Sequence, residues 1–264
     1  RSKWLAILNL FSLLALIAWN YYSNSGALGG ETVASISRKY SNLFTPAGYA
    51  FAIWGLIYLA LVFQAIRFVL VAFSNKEEVD FILTTSPWLI LANAGNGIWL
   101  WFWLHDAIGI SLVVMVFIFL SLLTAVIRLD MELWDAPVLY MATVWWPIDL
   151  YVGWISIALT ANVAVFLTAQ GFDGGILSEI SWTVLIIIIA GLIHCFMVWS
   201  RNMREFAAVG IWAFVAIGVR HWGEYPVIVW TALICSGILL IYNFYHAFQR
   251  WDTIPLVGRN SRWR

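Results

Sequence analysis

The sequence predicts an all-α integral membrane protein, a polytopic bundle of about eight transmembrane helices. Three observations predict it. Hydrophobic residues make up 63% of the chain, charged residues only 11%, and the apolar residues arrive in runs of roughly twenty, the number a helix rising ~1.5 Å per residue needs to cross about 30 Å of hydrocarbon. No soluble core requires that much apolar surface. The lipid bilayer is therefore the first partner. With 14 basic and 14 acidic residues and a formal net charge of zero, nucleic acid and strongly acidic partners are not expected.

The apolar stretches fall at about 4–22, 47–73, 87–104, 108–129, 137–168, 182–200, 205–222 and 226–247. The first follows Arg1 and Lys3 and superficially resembles a signal peptide, but no clean small-residue cleavage pattern follows it, so it reads as a retained helix. Before the second, Ser23 to Thr45 form a long polar connection, a length typical of lids and binding loops as well as of plain connectors. The third carries Asn93 and Asn96, and Asn96, Trp99 and Trp103 fall at i, i+3 and i+7, one face of a helix. The fourth runs up to Arg128 without interruption. In the fifth, Tyr151, Trp154, Ala158 and Asn162 again share a face, Asp149 places a carboxylate inside a span, and Pro147 frees a backbone carbonyl one turn back. The sixth and eighth each contain one cysteine, Cys195 and Cys235, read as small buried hydrophobes.

The seventh is the weakest, because its uncharged part extends only from Phe206 to Val219. Charge placement argues that it crosses. With eight crossings, Arg1, Lys3, Arg67, Lys76, Arg128, Arg201, Arg204, Arg250, Arg259, Arg262 and Arg264 share one side, and only Arg38, Lys39 and Arg220 the other; without the seventh crossing the split is 8 against 6. The positive-inside tendency thus places both termini in the cytoplasm or on an equivalent positive side. No internal repeat is visible, which weakens an inverted-repeat transporter.

Eighteen tryptophans exceed what interfacial anchoring needs. Trp4, Trp134, Trp222, Trp251 and Trp263 lie at run ends and serve as anchors. Trp54, Trp99, Trp101, Trp103, Trp145, Trp146 and Trp154 lie within spans, where a buried indole N–H needs an acceptor that lipid does not supply. They form either ordinary packing or the wall of a cavity for a flat apolar ligand. Asp149 likewise is either a polar group at the bottom of such a cavity or a helix-to-helix hydrogen-bonding group.

Three segments in order resemble one family. Phe44 to Tyr58, with Pro46 shortly before an aromatic, then Trp54, then Tyr58 four residues on, resembles the start of the second helix of the tryptophan-rich sensory protein, or translocator protein (TspO), family. Asn96-Gly97-Ile98-Trp99, followed by Phe102 and Trp103, resembles its third helix, and Tyr151, Trp154, Ala158 and Asn162 its fifth. The likeness covers residues 1–170. It implies a five-helix core with a pocket for porphyrins or other aromatic hydrophobic ligands, closed by the loop between the first two helices, and by position Trp54, Tyr58, Asn96, Trp99, Tyr151, Trp154 and Ala158 are its ligand-binding candidates. The residues themselves add Trp103 and Asp149. The chain departs from the family pattern at Ala92, where a glutamine is usual, and at Leu150, where a proline is usual. The sequence of Leu or Val, Tyr, then Lys or Arg that accompanies sterol binding has no counterpart after Asn162.

The organisation expected is a five-helix core over 1–170, a glycine-containing connector over 171–181, and a further three-helix region with a basic tail over 182–264. The last region, surplus to a five-helix core, is a candidate surface for self-association or for docking to a larger membrane complex. No cofactor is obligatory and no metal set is evident; a tetrapyrrole is the ligand type implied. His105 and Asp106 read as turn-capping residues, and His194 and His246 have no paired ligand spacing. All three lysines lie outside the spans, which excludes an intramembrane retinal Schiff base, and no phosphate loop, zinc spacing or nucleophile elbow marks an enzyme. Three function classes follow: a binding or sensory protein for a planar hydrophobic ligand, with transport of it as an extension; an accessory subunit of a larger, pigment-bearing membrane complex; and a secondary transporter using Asp149.

Overall fold

The computed structural model describes residues 1–74, 79–134, 136–172 and 174–249, and among these there are helices and turns but no β-strand. Lys76, Arg250, Arg259, Arg262 and Arg264, used above to orient the chain, lie outside the described residues. The long helices are α1 (Ser2–Asn24), α3 (Ile53–Phe73), α4 (Asp80–Leu104), α5 (Ile108–Arg128), α7 (Trp146–Ala169), α8 (Glu179–Arg201), α9 (Arg204–Arg220) and α10 (Pro226–Gln249). A short helix, α2 (Val33–Lys39), lies in the α1–α3 connection, a 3-10 turn (Gly48–Ala52) leads into α3, and one short turn of helix, α6 (Val138–Tyr140), passes through a π-helical turn (Met141–Trp145) into α7.

Six of these helical stretches, namely α1, α3 with its 3-10 turn, α5, α6 continuing through α7, α8 and α10, are long and apolar enough to cross a membrane. The other two fall short for different reasons. Helix α4 is long enough, but Asp80, Thr84, Thr85, Ser86, Asn93 and Asn96 dilute its hydropathy, and most of these side chains are turned inward: Thr85, Ser86, Asn93 and Asn96 are all buried. Helix α9 has only 17 residues; its small residues, Ala207, Gly210, Ala213, Ala216 and Gly218, are buried and let its neighbours approach closely. The outer faces of α1, α8 and α10 expose Phe11, Leu192, Trp199, Ile241 and Phe244, a belt that lipid covers and water would not tolerate.

Two boundaries differ from the sequence expectation. Helix α4 begins at Asp80, about two turns before the apolar run at 87, and carries Pro87 in its interior. The α1–α3 connection is partly helical because Thr32 and Ser35 form a reciprocal capping box that starts α2.

Helices α1, α3, α4, α5 and α7 form a closed ring: α1 packs on α3 and α4, α4 on α5, α5 on α7, and α7 back on α3. Helices α8, α9 and α10 pack on one another, and α9 docks this group onto the ring through α7. Gly153 makes that approach possible, since a Cβ there would lie 3.2 Å from Val209 Cβ and 3.3 Å from the Phe206 carbonyl oxygen. The α2 segment, the α4–α5 turn and the C-terminus of α9 lie at one end of the bundle, where Lys39 meets Asp106 and Arg220 meets Thr45. The α5–α6 connection and the α8–α9 turn lie at the other, where Asn202 Nδ2 donates to the Glu132 carbonyl oxygen.

Candidate functional site

Inside the ring, beneath the α2 segment, is a cavity of about 620 Å³. Its walls are Phe51 and Trp54 at the start of α3, Asn96, Trp99 and Trp103 on α4, Met115 on α5, and Trp154, Ile155, Ala158, Ala161, Asn162 and Val165 on α7. Its roof is the end of α1 (Asn20, Tyr21, Asn24) with Val33, Ala34 and Ser37 of α2, and Thr45 and Gly48 lie at the root of the roof.

Helical periodicity brings the wall together. Trp99 and Trp103, one turn apart, stack with ring centroids 5.3 Å apart, and Phe51 meets Trp154 edge to face at 5.8 Å. The indole N–H groups are fixed by protein acceptors: Trp99 Nε1 donates to Asn162 Oδ1 (2.9 Å), Asn162 Nδ2 donates to Ser111 Oγ (3.3 Å), and Trp103 Nε1 donates to the Val33 carbonyl oxygen of the roof (3.3 Å). With their N–H groups already satisfied by protein acceptors, these rings offer the cavity flat apolar surfaces. Asn96 differs. Its Nδ2 donates to the Tyr151 hydroxyl (3.1 Å), while its Oδ1 is buried without a hydrogen-bond partner. Asn96 lies on the cavity wall, and a buried acceptor without a partner is an exception among native polar groups that calls for an explanation.

Of the residues expected from the sequence, Trp54, Asn96, Trp99, Trp103, Trp154 and Ala158 lie on the cavity. Tyr58 and Tyr151 lie one layer behind. Tyr58 stacks on Trp54 at 5.2 Å and Tyr151 meets the same ring edge to face at 5.9 Å, so both brace Trp54. Asp149 lies elsewhere: it does not line the cavity and is grouped with Glu132 and Glu205. At 3.6 residues per turn, a residue two before Tyr151 points about 200° around the helix from it. With Tyr151 facing the ring interior, Asp149 faces α9, as does Gly153 one turn later.

Phe51, Met115 and Ala161 were not among the candidates, and the roof was expected only as the loop between the first two helices, without named residues. Phe51 lies one turn before Trp54 within the segment Phe44 to Tyr58, which offered a signal. Met115 is one apolar residue in an apolar helix and offered none.

The family model described as TSPO-like protein matches residues 6–245. The chain belongs to the TSPO-like protein family. The match runs beyond the stretch that carries the sequence motifs and takes in α8, α9 and most of α10. No curated protein and no solved structure matches the chain.

In this TSPO-like chain the roof is fastened at two places, at the end of α2 and beyond it. At the end of α2, Lys39 forms a salt bridge with Asp106 in the α4–α5 turn. The hydrogen bond to Lys39, aided by one to Tyr40, holds the Asp106 carboxyl below its ordinary range, and the same bond raises the Lys39 ammonium above its own. Beyond α2, α9 holds the chain as it returns to α3. Arg220 donates through Nη1 to the Thr45 carbonyl oxygen (2.5 Å) and through Nη2 to Ser41 Oγ (3.2 Å), and His221 Nε2 donates to the Leu43 carbonyl oxygen (2.8 Å). The Ala47 amide donates to the Ala216 carbonyl oxygen (3.1 Å) and Trp212 Nε1 to that of Ala50 (3.0 Å). Within the TSPO-like architecture seen here, α9 therefore contributes to the site by holding the base of its roof.

The remaining candidates have structural roles. His105 Nδ1 lies 2.8 Å from the Trp101 carbonyl oxygen at the end of α4. His194 Nδ1 lies 2.8 Å from the Ala190 carbonyl oxygen, and its ring packs on Phe206. Cys195 and Cys235 are free thiols.

Proposed function

We propose that this protein binds a planar, largely hydrophobic ligand of tetrapyrrole type in the roofed cavity and acts as a membrane-embedded receptor or carrier for it. The observation that carries this reading is the wall: four indoles, Trp54, Trp99, Trp103 and Trp154, around about 620 Å³ with the unpaired Asn96 Oδ1 among them. That volume lies within the roughly 300–1,000 Å³ of ordinary small-molecule pockets, which combine apolar walls with a few fixed polar groups. Flat rigid rings lose little side-chain freedom on contact with a flat ligand, and the Asn96 carbonyl suits a pyrrole N–H or another ligand donor. The TSPO-like family assignment supports the same ligand type.

Trp54, Asn96, Trp99, Trp103, Trp154 and Ala158 are the contact residues in this reading, with Tyr58 and Tyr151 as their support. Residues 182–249 act with the five-helix core rather than apart from it, through α9. Both termini belong on the cytoplasmic side, opposite the roof, and reporters fused at the N-terminus and at Gly29 should report opposite sides of the membrane.

The test is purification in mild detergent followed by titration with protoporphyrin, read by absorption. Saturable binding at one site per chain is expected, and absence of saturable binding rejects the tetrapyrrole. Stoichiometric co-purification of other membrane subunits with no porphyrin binding would instead favour the accessory-subunit reading.

A further inference from the structure

At the end of the bundle away from the roof, three carboxylates from three separate elements converge: Glu132 on the α5–α6 connection, Asp149 in the first turn of α7 and Glu205 in the first turn of α9. One oxygen of each lies within 4.8 Å of the others. We propose that these three residues bind a calcium ion that ties α7 to α9.

Convergence alone would not carry this, because a carboxylate in the first turn of a helix is favourable with no ion present. The independent observation is the state of Asp149. It is 0% exposed, and neither of its carboxylate oxygens has a hydrogen-bond partner. Glu132, 6% exposed, also leaves Oε1 unpaired. Arg204 adjoins Glu205 in sequence, yet among the described residues no ion pair joins an arginine to any of the three. Buried carboxylates without partners are costly, and proteins resolve them by pairing them with a cation, by coordinating a metal or by protonating them.

Chemistry and size select the ion. The ligand set is oxygen only, with no histidine or cysteine in the group, which disfavours zinc and copper and suits hard cations. Calcium takes oxygens at about 2.3–2.6 Å, so two oxygens across it lie roughly 4.6–5.2 Å apart, whereas magnesium at about 2.0–2.1 Å would need them within about 4.2 Å. The three ligand oxygens lie within 4.8 Å of one another, an upper limit inside the span a calcium ion accommodates, and magnesium gives up its water shell more reluctantly than calcium does. The site spans the α7–α9 contact, where Gly153 lets the two helices approach, so an ion there would crosslink the ring to the helix whose far end holds the roof.

Terbium, a luminescent stand-in for calcium, tests the site in the full-length chain in detergent, because Trp145 and Trp146, within one turn of Asp149, lie close enough to sensitise its emission. Saturable sensitised emission is expected, displaced by calcium at concentrations at least tenfold below those of magnesium. Asp149→Asn and Glu132→Gln should each weaken terbium binding tenfold or more, and calcium should raise the thermal midpoint of the wild type but not of Asp149→Asn. Should Asp149→Asn fail to fold, Glu205→Gln, at the least buried of the three positions, carries the same expectation. Absence of sensitised emission, emission unchanged by these substitutions, or a wild-type midpoint indifferent to calcium would overturn the proposal and leave protonation as the way the carboxylates are accommodated.

Discussion

Arg220, the last residue of α9, donates a hydrogen bond of 2.5 Å to the carbonyl oxygen of Thr45, which lines the cavity 175 residues earlier in the chain. This contact gives α9 a role at the site. The ring builds the aromatic walls, but the segment that closes them is anchored outside the ring.

Arg220→Ala should therefore loosen the roof without unfolding the ring. It removes two charged hydrogen bonds, each worth about 1.5–3 kcal/mol when the acceptor is otherwise left unpaired. Hydrogen exchange measured by mass spectrometry should show faster exchange over residues 41–50 and little change in α4 and α7. Equal acceleration throughout would mean that Arg220 supports the whole fold rather than the roof.

A wedge between α7 and α9 should produce the same loosening from a distance. Gly153→Leu places a branched side chain where even a Cβ meets Val209 at 3.2 Å, and overpacking of this kind typically costs about 1–3 kcal/mol. A lowered thermal midpoint together with faster exchange at residues 41–50 is expected. If the midpoint falls while the roof is unaffected, α9 does not transmit its packing to the site.

The Lys39–Asp106 latch gives the roof a pH window. The carboxyl of Asp106 is lowered from 3.8, so its contribution is complete above that value and is lost as acid titrates it further down; the ammonium of Lys39 is raised from 10.5, so its contribution is complete below that value and is lost in stronger base. Both groups are exposed and the effect is modest. The rate at which a bound porphyrin dissociates should be flat with respect to this latch between about pH 5 and pH 9, and should rise outside that range in the wild type but not in Asp106→Asn, which lacks the latch throughout.

Much of the site was legible in the sequence because helical periodicity is local information. Asn96, Trp99 and Trp103 at i, i+3 and i+7, and Tyr151, Trp154, Ala158 and Asn162 at i, i+3, i+7 and i+11, need only a helix to share a face, and the structure turns both rows inward. The length of the polar stretch before α3 fitted a lid and a plain connector equally, and only the family resemblance implied that it closes a pocket. For Asp149 the residues left open a place at the cavity or a contact between helices; its offset from Tyr151 sets the two on opposite sides of α7, and the structure places it off the cavity, beside Glu132 and Glu205. The hold of α9 on the roof was not legible, for a physical reason: its acceptors are mostly backbone carbonyls, at Leu43, Thr45 and Ala50, and a carbonyl carries no trace of itself in the residue type.

The most direct test of ligand binding within the aromatic cavity is quenching of tryptophan fluorescence by protoporphyrin in the wild type and in Trp99→Ala, Trp154→Ala and Asn96→Leu. Buried aromatic contacts contribute about 0.5–1.5 kcal/mol beyond the area they cover, so each indole variant should bind at least several-fold more weakly, and Asn96→Leu should weaken ligands that offer a donor more than ligands that do not. Saturable quenching with unchanged affinity in all three variants would place the ligand outside this cavity and contradict the site proposed here.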